Sequence, residues 1–323
     1  MNASQPTPGA EEATSTLVEC CGGESHCTGE LPGASPLAAM SPREGCPPPL
    51  QWQQVLESFR DQSEIWHTET PAGKITGRAW GEGPSLIMLN GLSGSHELFA
   101  LCAYLLKPNF RCVLLDYPIG SRVTWPRLCD SVAEIVDEFA GSEGCHLFGT
   151  SFGAALALET ALRAPSRVRS LALHAAFAHL HLTVAERLGA SLLRWCPGRV
   201  QSLPLWRGLQ ERSHRLWFPP IDATRWLFCL DSNGQTPVAE LARRFGLLSR
   251  FDVRQKLGQL TTQTLLLHVE GEGETQSHCR DELAALLPNV RTEFLHTTGL
   301  QAFLTHPHRV AKLIREFACS SIV

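Results

Sequence analysis

Residues 145–153 read Cys-His-Leu-Phe-Gly-Thr-Ser-Phe-Gly and end in Gly149-Thr150-Ser151-Phe152-Gly153. An apolar run of strand length stops at a glycine, and an Ala- and Leu-rich stretch, Ala154 to Ala164, continues until Pro165 closes it. A serine hydroxyl is a poor nucleophile near neutral pH. Enzymes that use one hold it on a sharp strand-to-helix turn and supply a base to take its proton. Such a turn needs small residues two positions before and two after the serine, and Gly149 and Gly153 stand there. Ser151 is therefore the candidate nucleophile.

Outward from the turn, short apolar runs alternate with helical periodicity. Lys74 to Trp80, Ser85 to Leu89, Arg111 to Leu115, Cys145 to Phe148 and Leu171 to His174 read as strands. Thr264 to Val269 and Glu293 to Leu295 add two more. Leu128, Val132, Ile135, Val136 and Phe139 fall on one helical face, as do Val310, Leu313, Ile314 and Phe317 in a final helix starting at Pro307. Strands alternating with helices predict an α/β class with a mostly parallel sheet covered on both faces. From about 175 to 262 the alternation gives way to a helical stretch bearing Trp195, Trp206, Trp217 and Trp226, the pattern of a cap inserted over the sheet. Residues 1–49, rich in Pro, Gly, Ser, Thr and Glu and ending in Pro47-Pro48-Pro49, read as a disordered leader to a folded domain over 50–323. With the elbow, this is the pattern of an α/β-hydrolase fold with a helical cap insertion.

Bulk properties remove several function classes. Twenty-eight basic residues against 32 acidic give a net charge of −4, which offers nucleic acid no electrostatic footprint. The start of the chain has no basic segment leading into an apolar one, and no run of roughly 18 apolar residues occurs, so a cytosolic address is expected. Of the 12 cysteines, Cys102, Cys112, Cys129 and Cys145 sit inside apolar runs and read as reduced core residues. Cys20-Cys21 and Cys27 lack zinc spacing, and the sequon Asn2-Ala3-Ser4 has no secretory route behind it. No phosphate-binding loop is present and the histidines form no His-x-x-x-His or carboxylate-paired ligand set, so neither cofactor nor metal is expected.

Three further groups complete a serine-hydrolase site. The oxyanion needs two backbone N–H donors. Phe152 follows the nucleophile, and Leu92 sits in Asn90-Gly91-Leu92-Ser93-Gly94, which reads equally as a tight loop into the next helix. The acid is expected after the next-to-last strand, where Val269-Glu270-Gly271-Glu272 puts Glu272; with Glu270 and Glu274 beside it, this also reads as a solvated acidic loop. The base is expected after the last strand. There His296-Thr297-Thr298-Gly299-Leu300 puts Leu300 in the position of the histidine, and leucine accepts no proton. His296, His306 and His308 are nearby but out of place.

Most of residues 50 to 318 resembles one branch of the superfamily, the maspardin family. The likeness runs through Leu89 to Gly94, Val113-Leu114-Leu115-Asp116-Tyr117-Pro118, His146 to Ala154, and Gly234-Gln235-Thr236-Pro237-Val238-Ala239-Glu240-Leu241-Ala242-Arg243-Arg244. The resemblance implies a cytosolic protein partly associated with endosomal and trans-Golgi membranes. It implies action by binding partners, among them the cytoplasmic tail of a T-cell co-receptor and an aldehyde-dehydrogenase-like protein. It also implies a retained elbow serine without the usual histidine, in keeping with Leu300. The chain departs from the family in its longer leader and in scattered core positions, as a paralogue would. The expectation is a non-catalytic, partner-binding protein; the alternative is a serine hydrolase acting on a small acyl substrate through Ser151.

Overall fold

The structure is a computed structural model that describes residues 51–180, 182–220 and 222–320. The expected leader over 1–49, with its four cysteines and its sequon, lies outside the described residues. In chain order the elements begin with helix α1 (Trp52–Gln62), strands β1 (Glu64–Thr70), β2 (Gly73–Trp80) and β3 (Ser85–Leu89), helix α2 (Ala100–Leu106) and strand β4 (Arg111–Asp116). Next come α3 (Trp125–Phe139), β5 (Cys145–Thr150), α4 (Phe152–Arg163) and β6 (Val168–His174). Four helices follow with no strand between them: α5 (Val184–Leu193), α6 (Trp206–His214), α7 (Ala223–Gly234) and α8 (Val238–Leu248). The chain then returns to β7 (Gln263–Val269), α9 (Gly273–Leu286), β8 (Val290–Leu295), the one-turn α10 (Ala302–Thr305) and α11 (Pro307–Ser320).

Among the described residues the eight strands form one sheet in the order β1-β2-β4-β3-β5-β6-β7-β8. It is parallel from β4 to β8, and β2 runs antiparallel to both β1 and β4. This is the α/β-hydrolase architecture, with the α5–α8 segment inserted between β6 and β7. Helix α1 and strand β1 were not foreseen. In β1, Glu64-Ile65-Trp66-His67-Thr68-Glu69-Thr70 is an edge strand facing water, with Ile65 exposed and Trp66 buried, so it carries none of the continuous apolar signal of its neighbours.

Strand alternation builds two cores. Ile87, Leu89, Val113, Leu115 and Leu147 point to the face covered by α3 and α4, while Leu86, Met88, Cys112, Leu114 and Phe148 point to the face covered by α1, α2 and α11. Both faces of the central strands are buried, which is why they read as unbroken apolar runs. Cys102, Cys112, Cys129 and Cys145 are buried free thiols, and burial pushes all four up, Cys129 and Cys145 to about 12. No helix among the described residues is long and apolar enough to cross a membrane.

Two imidazoles lie inside the sheet layer. His146 meets Ser170 Oγ through Nδ1 at 2.7 Å and His174 meets Thr150 Oγ1 at 3.0 Å, and each leaves a buried Nε2 without a partner. Burial pushes both down to about 4. An unfolded histidine titrates near 6.5. Between that value and about 4 the unfolded chain takes up protons that the folded chain refuses. Their contribution to stability is therefore complete above pH 6.5, declines as pH falls through this window and levels off below about 4. Melting temperatures recorded from pH 7.5 to 3.5 should follow this course, and a His146→Gln/His174→Gln variant should lose that part of the slope.

Candidate active site

Ser151 sits between β5 and α4 with φ 51° and ψ −109°, a conformation that costs a side-chain-bearing residue about 1–3 kcal/mol. The turn is held from both ends. Ser151 N–H donates to His174 O on β6 at 2.9 Å, and Ala155 N–H donates to Ser151 O at 3.1 Å to open the helix. The flanking glycines are required by contact. A Cβ on Gly153 would lie 2.1 Å from Leu89 O, and one on Gly149 would lie 2.5 Å from Gly153 O. The start of α4 thus rides directly on the end of β3, which brings the serine to the carboxyl edge of the sheet beside the loop that follows β3.

That loop is braced by the inserted helices. Asn90 Nδ2 donates to Ser95 O at 3.0 Å, and Tyr117 Oη donates to Asn90 O at 2.8 Å. Ser93 Oγ donates to Asn233 Oδ1 at 2.7 Å, Gly94 N–H to Thr236 Oγ1 at 3.0 Å and Ser95 N–H to Ser232 Oγ at 3.1 Å. Arg244 of α8 donates to Leu92 O at 2.9 Å with its guanidinium over the Tyr117 ring, and burial pushes that guanidinium down from its ordinary value. Asp-Tyr-Pro and Gly-Gln-Thr-Pro, which carried the sequence resemblance, therefore meet at the loop after β3.

Ser151 opens into a cavity of about 190 Å³, lined also by Leu92, Thr150, His214, Leu300 and Phe303. Phe152, as the first residue of α4, has no intrahelical acceptor for its N–H. Leu92 is brought to the same cavity. Leu300, which the sequence puts where the base is expected, lines the Ser151 cavity too and brings an isobutyl group to it.

Glu272 does not line that cavity. It accepts from Arg280 Nη1 in a short ion pair and from Ser277 Oγ at 2.9 Å, and it lines a small neighbouring cavity that shares Ala175 and Gln276 with the first. Its carboxylate orients an arginine rather than an imidazole. His296 is exposed at the end of β8, and His306 and His308 line a different cavity.

The histidine that does line the Ser151 cavity is His214, at the end of α6, and burial holds it below the usual imidazole range. It escaped the sequence reading because Arg212-Ser213-His214-Arg215 looks like an ordinary polar helix end. Next to it, Trp217 lies against the loops after β7 and β8. A Cβ on Gly271 would come within 2.4 Å of its ring, and one on Gly299 within 2.3 Å. Gly271 N–H donates to Thr298 O at 3.0 Å, and Thr297 N–H to Glu270 Oε2 at 2.8 Å. The two loops that would carry acid and base are thus tied to each other and packed under the indole.

Residues 84–307 match the family model described as "alpha/beta hydrolase fold". The chain belongs to the α/β-hydrolase fold family. Curated relatives of this α/β-hydrolase include a putative carbamate hydrolase RutD of Serratia proteamaculans, 28% identical over 236 residues, or 67% of this chain and 84% of the relative. A pimeloyl-[acyl-carrier protein] methyl ester esterase of Aeromonas hydrophila is 24% identical over 256 residues, or 74% and 96%. Among solved structures, a thermophilic esterase from Thermogutta terrifontis superposes with a TM-score of 0.67 at 18% identity, covering 80% of this chain and all of that one. Naproxen esterase from Bacillus subtilis gives 0.60 at 15%, covering 82% and 95%. At these identities the superpositions speak to the fold alone.

The geometry fixes two outcomes. Gly153→Ala should cost about 3 kcal/mol in urea unfolding because backbone atoms must separate, whereas Gly246→Ala, with open space around it in α8, should be neutral or stabilising by up to about 1 kcal/mol. Glu272→Gln should lower stability by about 1–3 kcal/mol by weakening the Arg280 pair, yet leave the reactivity of Ser151 toward a fluorophosphonate unchanged.

Proposed function

We propose that the protein is a serine hydrolase of small acyl esters with Ser151 as its nucleophile. The observation that carries this reading is the strained Ser151 backbone, held at φ 51° by glycines on both sides and opening into a small pocket. Strain of this kind persists where function needs it, since an unstrained turn would serve a purely structural junction. The names of the curated relatives, a carbamate hydrolase and a methyl ester esterase, point to the same chemistry. At about 190 Å³ the pocket is smaller than the roughly 300–1,000 Å³ typical of sites for drug-sized ligands, which favours a small acyl group.

In this reading Ser151 Oγ attacks the ester carbonyl carbon while the Phe152 and Leu92 N–H groups receive the charge on the oxygen. His214 takes the serine proton and returns it to the departing alkoxide, and water then releases the acid from the acyl-enzyme by the same route reversed. With no carboxylate bonded to His214 among the described residues and leucine at 300, turnover is expected to be slow. Loss of the base from a serine triad has cost about a millionfold in a protease precedent.

A fluorophosphonate should label the wild-type protein at Ser151, and Ser151→Ala should abolish labelling. His214→Ala should slow labelling severalfold without unfolding the chain, and Leu300→His should accelerate it. Because burial lowers the His214 pKa, the labelling rate should stay level as pH falls to 6.5 and decline only below it. Absence of labelling in a well-folded wild type would defeat the hydrolase reading.

A second reading, partner binding without turnover in the manner of the maspardin family, is favoured by Leu300 in the base position and by Glu272 being committed to Arg280. Val184, Leu188, Leu192 and Trp195 form an exposed apolar row along and just past α5, beside Arg187 and Arg194, which offers such a partner a surface. A receptor tail, an aldehyde-dehydrogenase-like protein or an intracellular membrane surface would then be the target. Binding that survives Ser151→Ala and fails in Leu188→Asp/Leu192→Asp is the outcome this reading expects.

A further inference from the structure

Apart from Ser151 in sequence and wall residues, α1, α2, the start of α7 and the start of α11 line an open cavity of about 510 Å³. One wall is apolar and aromatic, made by Trp52, Val55, Leu101, Tyr104 and Leu105. The other carries Arg225, His306, His308 and Arg309. No Asp or Glu lines it. We propose that this cavity is a binding site for a small amphipathic anion, an alkyl or aryl chain ending in a carboxylate or phosphate, whose chain lies on the Trp52–Leu105 wall and whose head meets Arg225 and Arg309.

The positive wall is neutralised only in part from within. Arg225 has one carboxylate neighbour, Asp222, at 3.0 Å, and reaches Leu304 O at 3.4 Å, which leaves its Nε buried with no partner among the described residues. Arg309 spends one N–H on His296 O at 2.7 Å and has no carboxylate partner among the described residues. His306 meets Thr305 Oγ1 through Nδ1 at 3.0 Å, and burial together with Arg309 and Arg225 holds it below the usual imidazole range. Arg309, exposed at this wall and without a carboxylate partner among the described residues, has N–H groups left to give to an anionic oxygen. The opposite wall explains why the ligand is amphipathic: a free inorganic anion would leave the Trp52, Leu101 and Leu105 surface wet, whereas an alkyl chain removes it from water. The volume lies within the roughly 300–1,000 Å³ of small-molecule sites. The site stands whether or not Ser151 turns over, because none of its residues lines the serine pocket.

Titration calorimetry on the full chain with decanoate, decyl phosphate, decanol and inorganic phosphate tests the assignment. One decanoate or decyl phosphate should bind per chain, at least tenfold tighter than decanol or inorganic phosphate. Arg309→Gln and Arg225→Gln should each weaken decanoate at least tenfold, and Leu105→Trp, which fills the cavity from its apolar side, should block it. Leu300→Trp, which fills the serine pocket instead, should leave it unchanged. Should Arg225→Gln melt early through loss of the Asp222 pair, Arg309→Gln and Leu105→Trp still decide. Decanol or phosphate binding as tightly as decanoate, full affinity retained in Arg309→Gln and Leu105→Trp, loss of affinity in Leu300→Trp, or no heat from any probe at millimolar concentration would each overturn the proposal.

Discussion

Gly153 and Leu89 meet at a distance that no side chain tolerates, and much of the molecule is arranged around that contact. For the first turn of α4 to lie on the end of β3, the chain must leave β5 through a left-handed residue, and that residue is Ser151. The strain is supported by the parallel pairing of β5 with β3 and β6, whose strands are buried on both faces and so tolerate little displacement. The serine is exposed at the carboxyl edge because the sheet and the helix leave it nowhere else to go.

The inserted helices act on the same region from above. Ser232, Asn233 and Thr236 take up polar groups of the loop after β3, and Arg244 caps a carbonyl of the same loop. Trp217 covers the loops after β7 and β8. The insertion is therefore part of the site's wall, and it delivers His214 while the loop after β8 delivers Leu300. In physical terms the pocket receives an imidazole from a helix end and an isobutyl group from the loop after β8.

The parts of this arrangement that were legible in the sequence are those governed by local rules. Alternating burial on both faces makes the central strands continuous apolar runs, and Ser85 to Leu89, Arg111 to Leu115 and Thr264 to Val269 were readable for that reason. Ser151 was readable because the turn's steric demand leaves a glycine signature at fixed spacing. Strand β1 was not, since an edge strand with a wet face looks like any polar segment. Glu272 was placed by its spacing from β7, but its partner, Arg280, lies two turns along α9, and only the fold of that helix joins them. His214 carried no signal because nothing in its own helix distinguishes it.

The sequence by itself determined the α/β class, the nucleophile elbow and the leucine in the position of the base, because each follows from residue type at a local spacing. Only the tertiary structure decided which side chains share a pocket. That Ser151 faces His214 and Leu300, that Glu272 belongs to Arg280, and that Arg225 and Arg309 converge across some 80 residues of chain are consequences of packing between distant elements. Long-range proximity depends on how buried faces fit together, and one-dimensional spacing does not encode that fit.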